Sequence, residues 1–156
     1  MVAGSVCTEP LIKKLHSQLN LHGLCNVYGM TELSPIATMM GPEAPYDKKI
    51  STVGHVGPHT EIKIVDSEGV VLPIGEKGEI CVRGYLTMLK YWDDPGKSAE
   101  TKVDGWVKTG DLGHLDGDGY LSISGRLKDL IIRGGENISP REIEDFYDKQ
   151  AWIKDI

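Results

Sequence analysis

"GRLKDLIIRGGENISPREIE", residues 125 to 144, marks the place where one folding unit ends and another begins. Arg126 closes a strand-like pattern, and another apolar run, "LIIRGG", follows it. Ser139 can cap a following helix, with Pro140 as its first residue and Glu142 completing a capping box. The glycine pair before that helix would let the main chain approach a ligand closely. The sequence therefore predicts a sheet that ends near residue 127 and a new helix after it.

Upstream of this stretch, short strands alternate with glycine-rich turns. "TEIKIVD" (60–66) predicts a half-buried strand, and "SEGVVLPIGEKGEICVRG" (67–84) supplies turns around two more. "DGDGYLSISGR" (116–126) predicts a hairpin with its turn at Asp116 to Gly119 rather than a calcium loop, because the closing glutamate is missing. This pattern favours a small antiparallel sheet or barrel.

The first part of the chain is different in character. Thr8 can cap a helix that has Pro10 in its first turn and an apolar stripe through Leu19. "HGLCNVYG" (22–29) predicts a buried strand entering a loop, and residues 41–50 a connection. We expect an α/β remnant at 1–48, a β-rich, barrel-like subdomain at 49–127 and the start of another domain at 128–156.

Composition excludes several classes of function. The chain has 156 residues and a net charge of −6, which argues against a nucleic-acid surface. Three cysteines without C-x-x-C spacing argue against a disulfide framework or a zinc site and favour a reducing compartment. No apolar run reaches membrane-spanning length, and no targeting signal is visible.

"NVYGMTELSP", residues 26 to 35, orders polar groups behind an apolar run. Tyr28 offers a flat face for a purine, and Gly29 would let the backbone approach a ligand. Thr31 offers a hydroxyl to a phosphate oxygen, and Glu32 a carboxylate to a magnesium ion that bridges phosphates. A loop around a buried tyrosine is the alternative interpretation.

"GWVKTGDLG", residues 105 to 113, places Asp111 between glycine-flanked turns. Its carboxylate could accept hydrogen bonds from two vicinal hydroxyls, such as those of a ribose, or it could cap a turn. Arg126, at the end of a predicted strand, could bind a ribose or phosphate oxygen.

Together these motifs resemble the adenylate-forming superfamily: acyl-CoA synthetases, luciferases and the adenylation domains of peptide synthetases. The resemblance runs from about Ala3 to Glu144. "RGYLTMLKYWDDP", "GWVKTGDLG" and "SGRLKDLIIRGGENISPREIE" are most similar to medium-chain acyl-CoA synthetases. The resemblance implies a partial adenylate-forming fold that ends in the start of a small α+β C-terminal domain.

The activity implied by the resemblance uses ATP, Mg²⁺ and coenzyme A. A fatty acid attacks the α-phosphate of ATP, and the thiol of coenzyme A then displaces AMP from the acyl-adenylate. Thr31 and Glu32 would be the catalytic residues, with Glu32 holding Mg²⁺. The residues implied to bind ATP or AMP are Gly4, Ser5, Tyr28, Gly29, Met30, Thr31, Asp111 and Arg126. Lys128 would be the hinge, and Gly134, Gly135 and Glu136 would line the coenzyme A channel.

The chain also departs from that family. The upstream phosphate-binding loop and the lysine near the family's C-terminus are absent, and "AGSVCTEP" lacks the usual proline after its small-residue turn. We therefore expect a fragment that is inactive alone and whose partners are the missing N- and C-terminal parts of the enzyme. The alternatives are a truncated non-catalytic isoform with weak nucleotide binding and a fragment of an aminoacyl-adenylating domain. An intracellular location, in the mitochondrial matrix or cytoplasm, is favoured over secretion.

Overall fold

The computed structural model describes residues 9–21, 23, 25–134, 136–147, 150 and 152–153. The helices are α1 (Glu9–Leu19), α2 (Tyr46–Ser51), α3 (Pro95–Thr101) and α4 (Pro140–Tyr147), with 3-10 helices at Thr31–Leu33 and Leu127–Asp129. The strands are β1 (Val27–Tyr28), β2 (Thr38–Met39), β3 (His55–Val56), β4 (Thr60–Val65), β5 (Gly78–Gly84), β6 (Lys102–Val103), β7 (Trp106–Leu115), β8 (Leu121–Arg126), β9 (Ile131–Arg133) and β10 (Glu136–Ile138). Within these ranges, no helix is long and apolar enough to cross a bilayer.

The largest sheet is antiparallel and has five strands. β4 pairs with β5 and β5 with β7, while β6 and β8 both pair with β7. Its core side chains Ile80, Val82, Val107 and Leu121 are fully buried. Because alternate residues of a strand point to opposite faces, these side chains form one apolar layer beneath the sheet. The predicted β-rich, antiparallel middle is confirmed, and the sheet curls as half a barrel.

The hairpin between β7 and β8 turns where the sequence predicts. Oδ1 of Asp116 accepts the N–H groups of Asp118 at 3.0 Å and Tyr120 at 2.9 Å. Gly119 has a φ of +83°, a conformation that glycine adopts without strain. Lys48 Nζ lies 2.5 Å from Oδ2 of Asp116, so α2 is tied to this turn.

Two expectations about loops are wrong in part. Residues 41–50 are not only a connection, because α2 begins at Tyr46; Asp47 in its first turn and Lys48 in its last both suit the helix dipole. Of the two strands expected within 67–84, only β5 forms, and the other is reduced to a single bridge between Val65 and Val71. Pro73 explains this, since it cannot donate to a strand ladder.

The segment that contains β1 packs against the main sheet, because Tyr28, Leu33 and Ala37 share its core. α1 confirms the predicted helix, whose proposed cap Thr8 lies outside the described residues. The strand expected within 22–29 is only Val27–Tyr28, the first strand of a small antiparallel sheet with β2 and β3. Leu121 of β8 binds the segment just before β3, because its O accepts from Val53 N at 2.8 Å and its N–H donates to Gly54 O at 2.9 Å.

After β8, the chain forms the β9–β10 hairpin, which the sequence did not predict, and then the predicted helix, α4. Ser139, just before α4, donates its hydroxyl to the carbonyl of Ser124 at 2.6 Å. A Cβ at Gly125 would stand 2.7 Å from Ser139 Oγ, so this close approach requires a glycine. The start of α4 is therefore docked on β8.

Candidate functional site

Asp111 connects a buried tyrosine to an exposed arginine. Tyr28 Oη donates to Asp111 Oδ2 at 2.8 Å. Arg126 Nε lies 3.5 Å from Asp111 Oδ1. The side chain of Asp111 is 16% exposed, whereas that of Arg126 is 62% exposed. The Asp111 carboxylate is therefore oriented by the buried Tyr28, lies beside the cation of Arg126 and is partly exposed at the surface.

Strand register explains why these groups meet. β7 and β8 pair Asp111 directly with Arg126, and opposite residues of an antiparallel pair have neighbouring side chains on one face. The register then shifts between Leu112 and Gly113. A Cβ at Gly113 would stand 2.3 Å from the carbonyl of Ser122, so this bulge requires a glycine.

Tyr28 belongs to the hydrophobic core. It is 9% exposed and lies in the core cluster with Leu33 and Ala37. Burial raises the pKa of Tyr28 well above its ordinary value, and the neighbouring charge of Asp111 adds to the increase. The hydroxyl is therefore a neutral donor at any physiological pH. Because so little of the ring is exposed here, its stacking on a base stays a prediction.

Thr31 and Glu32 open the 3-10 helix that follows β1. Thr31 is exposed and Glu32 is half-buried. Glu32 Oε1 accepts a hydrogen bond of 2.6 Å from Tyr91 Oη, and its main-chain carbonyl accepts one of 2.8 Å from Met88 N. The bond to Glu32 raises the pKa of Tyr91, which keeps that phenol protonated. The side-chain oxygens of Thr31 and Glu32, the two predicted catalytic residues, thus belong to the turn that follows β1.

Gly29 and Met30 are explained by the packing of the loop itself. A Cβ at Gly29 would stand 1.7 Å from the carbonyl of Pro35, so no other residue fits without moving the chain. Met30 packs, partly buried, against the core cluster. Contact of either residue with a nucleotide stays a prediction.

The remaining predicted residues lie elsewhere or are not described. Three lie outside the described part of the chain: Gly4, Ser5 and Gly135. Lys128 is exposed in the second 3-10 helix, and Gly134 is exposed with a φ of +64°. Glu136 begins β10, and its carboxylate is not described.

Sequence reasoning missed two groups that hold these residues in place. One is Tyr91, which lies just before the start of α3, where Asp94 is the cap. The cap is visible in the sequence, but it does not indicate that Tyr91 would bind Glu32. The other is Glu79, whose Oε1 accepts the N–H of Gly110 at 3.1 Å and so fixes the residue before Asp111. No local pattern could assign that role, because it depends on the pairing of β5 with β7.

A cleft of about 630 Å³ lies between the turn at 66–69, the start of β5 and the second 3-10 helix, and Glu79 is among the residues that line it. Its described lining includes none of the residues predicted to bind nucleotide. Asp111 and Glu32 are therefore not part of the described lining of this cleft, and their candidate roles depend on the chemistry of their own side chains.

The side-chain oxygens of Asp111, Thr31 and Glu32 are of the kinds that bind a nucleotide and a divalent cation. A carboxylate has about four acceptor positions, so Asp111 can accept from Tyr28 and still bind two hydroxyls. Magnesium is commonly held by one or two carboxylates and completed by substrate phosphates, which matches Glu32 with Thr31 beside it. Among the described residues, no three or more of His, Cys, Asp or Glu are grouped as a protein-only metal site.

The chain matches a family model and is similar to several known proteins. The family model "AMP-binding enzyme" matches residues 1–92. The chain is 45% identical over 150 residues to an acyl-CoA ligase of Aspergillus fumigatus, covering 93% of this chain and 25% of that protein. It is 43% identical over 157 residues to a mitochondrial medium-chain acyl-CoA ligase of Rattus norvegicus, covering 99% of this chain and 26% of that protein.

A solved structure shows the same relationship. The o-succinylbenzoate coenzyme A synthetase of Bacillus subtilis, in complex with ATP and magnesium ion, superposes with a TM-score of 0.80 at 36% identity, covering 92% of this chain and 29% of that chain. The chain thus spans about a quarter of the length of the curated relatives it matches.

Proposed function

The chain belongs to the AMP-binding enzyme family and has part of the adenylate-forming fold, and from this premise we propose that the whole protein is an acyl-CoA ligase for medium-chain fatty acids. The first step joins the fatty carboxylate to the α-phosphate of ATP and releases pyrophosphate. The second step transfers the acyl group from the adenylate to the thiol of coenzyme A, releasing AMP. The similarity to ligases for acyl substrates supports this assignment.

The observation on which the proposal rests is the geometry of Asp111. Its two oxygens are already oriented, one by Tyr28 and the other beside Arg126. A carboxylate held in this way can accept hydrogen bonds from both hydroxyls of a ribose without first reorganising. The exposed guanidinium of Arg126 is placed to bind an oxygen of the same nucleotide.

Thr31 and Glu32 act on the phosphates in this proposal. The Thr31 hydroxyl donates to the α-phosphate, and the Glu32 carboxylate holds Mg²⁺. When bound, the cation offsets the negative charge that develops on the phosphates. Since the reaction involves little covalent chemistry by the protein, these residues mainly orient ATP and stabilise charge.

Lys128 is proposed as the hinge between residues 49–127 and the domain that starts at 128, with Gly134, Gly135 and Glu136 brought to the coenzyme A channel by its rotation. The exposure of Lys128 in a three-residue 3-10 helix supports this role, because its side chain can move without leaving a buried position. Gly4 and Ser5 are proposed to line the adenine and acyl pocket. The mitochondrial ligase among the relatives supports the mitochondrial matrix as the location.

The test is exchange of labelled pyrophosphate into ATP by the whole protein, with Mg²⁺ and decanoate. We expect exchange that requires decanoate, and Asp111→Ala should raise the KM for ATP by about a hundredfold or more, since two hydrogen bonds to a charged group are lost. Asp47→Ala, an exposed aspartate of α2, is the matched control. Exchange driven by an amino acid instead would identify an aminoacyl-adenylating domain, and no exchange with either acid would refute both assignments.

A further inference from the structure

The loop that precedes α3 holds Glu32 at two points. Met88 N donates to the main-chain carbonyl of Glu32 at 2.8 Å, and Tyr91 Oη donates to its Oε1 at 2.6 Å. Tyr91 and Glu32 are 59 positions apart in the sequence. Both the main chain and the side chain of Glu32 are therefore oriented by one loop.

Tyr91 is itself fixed by the start of α3. Its N–H donates to Ser98 Oγ at 2.9 Å, and Ser98 Oγ donates to the carbonyl of Asp94 at 2.6 Å. Lys97 Nζ lies 4.4 Å from the centroid of the Tyr91 ring, a cation–π contact. Because Asp94 caps α3 through Lys97 N at 2.9 Å, the phenol is supported by a helix rather than by a free loop.

Lys102 holds the same loop through two further hydrogen bonds. Lys102 Nζ donates to the carbonyl of Met88 at 2.7 Å and to Thr87 Oγ1 at 3.2 Å. The peptide that binds the Glu32 carbonyl is thus held between Glu32 and β6. A side chain fixed through such a network loses less conformational freedom when it binds a ligand.

The two carboxylates of the candidate site have different partners. Asp111 lies beside the cation of Arg126. In the described part of the chain, no ion pair joins Glu32 to a lysine or arginine. A neutral phenol orients the carboxylate but leaves its negative charge uncompensated, and a carboxylate keeps further acceptor positions after accepting one bond. The surroundings of Glu32 therefore favour binding of a cation, whereas those of Asp111 favour hydrogen bonds from neutral hydroxyls.

We infer that Tyr91 is a positioning residue that holds the Glu32 carboxylate in the orientation that a divalent cation bound with the nucleotide would require. The inference rests on the proposed function, because the cation enters with the nucleotide. Groups that orient a metal ligand commonly change metal affinity by about ten- to a hundredfold when removed. Tyr91 would then act on the metal without touching the nucleotide.

The experiment measures Mn²⁺ binding to the whole protein by electron paramagnetic resonance, in the presence of a non-hydrolysable ATP analogue. We expect Tyr91→Phe to weaken Mn²⁺ binding about tenfold or more, while binding of the analogue in EDTA is unchanged. The control is Tyr85→Phe, which removes a phenol that is 79% exposed in the same loop and should leave Mn²⁺ binding unaltered.

A double-mutant cycle separates positioning from a general effect on the fold. In a Glu32→Gln background, Tyr91→Phe should cause no further loss of Mn²⁺ affinity, whereas a merely structural role would lower it again. Equal Mn²⁺ affinity in Tyr91→Phe and Tyr85→Phe would overturn the inference while leaving the proposed function intact. Failure of the unsubstituted protein to bind Mn²⁺ with the analogue would instead contradict the assignment of Glu32 itself, and with it the inference.

Discussion

The hydroxyl of Tyr28 donates to Oδ2 of Asp111 at 2.8 Å, across 83 residues of sequence. Tyr28 lies in the small N-terminal sheet and Asp111 in the large sheet. A core residue of the small sheet, Tyr28, therefore orients the Asp111 carboxylate of the large sheet through one hydrogen bond. The candidate ribose site depends on the packing of the two sheets as well as on its own strands.

Tyr28→Phe tests this dependence. The change keeps the ring in the core but removes the donor, so Asp111 loses a bond to a charged acceptor, which contributes about 1.5–3 kcal/mol. We expect the free energy of unfolding to fall by about this amount and the KM for ATP to rise severalfold, with little change in the KM for coenzyme A. Chemical denaturation and steady-state kinetics of the whole protein measure both. Tyr85→Phe is the control, and an unchanged KM for ATP would show that Tyr28 does not orient Asp111 for the nucleotide.

Gly113→Ala tests the bulge beside Asp111. The new Cβ would stand 2.3 Å from Ser122 O and 2.9 Å from Ile80 Cδ1, so the β7–β8 pair must shift. We expect destabilisation of about 1–3 kcal/mol, as for other overpacked sites, together with a higher KM for ATP. Thermal unfolding and kinetics provide the measurement.

Gly117→Ala is the matched control for that change. A Cβ at Gly117 has no neighbour within 4 Å, and its φ is not in the left-handed region. Its effect should stay within about 0.5 kcal/mol, as for other surface substitutions. If the two variants unfolded at the same temperature, the bulge would not require its glycine.

The sequence predicted the elements that depend on local signals. α1, the hairpin turn at Asp116 to Gly119 and α4 all follow from capping, glycine or apolar spacing, and each is present. The meeting of Asp111 with Arg126 could be expected only from a hairpin, which fixes their register. The contacts of Glu32 with Tyr91 and of Tyr28 with Asp111 depend on how separate elements pack. Residue patterns within one segment do not encode that information, and α2 was missed because proline and charge masked its short helical signal.

Cys81 predicts a loss of stability at alkaline pH. It is 2% exposed, and burial raises its pKa to about 11, with the charge of Glu79 adding to the increase. Since an unfolded thiol ionises near pH 8.5, the unfolded state loses its proton first, and stability falls between that pH and about 11. Unfolding midpoints measured from pH 7 to 11 should decline, and Cys81→Ala should have a shallower decline than Cys25→Ala. Tyr28 also lowers stability at alkaline pH, but it does so equally in both variants. Parallel curves would therefore mean that Cys81 makes no contribution.

Lys128→Pro tests the proposed hinge. Proline fixes its own φ and pushes the preceding residue, Leu127, out of the helical region that it occupies in the 3-10 helix. Rotation at this position should then be blocked, which we expect to spare adenylate formation and to suppress the thioester step. We expect pyrophosphate exchange within about threefold of the unsubstituted protein and a thioester step slowed at least about tenfold, as for other gating positions where a conformational step limits turnover. Single-turnover transfer from the preformed acyl-adenylate measures the second step directly. Lys128→Ala removes the same charge without restricting the main chain, so it should preserve both steps, and equal losses of both half-reactions in the proline variant would contradict a hinge at Lys128.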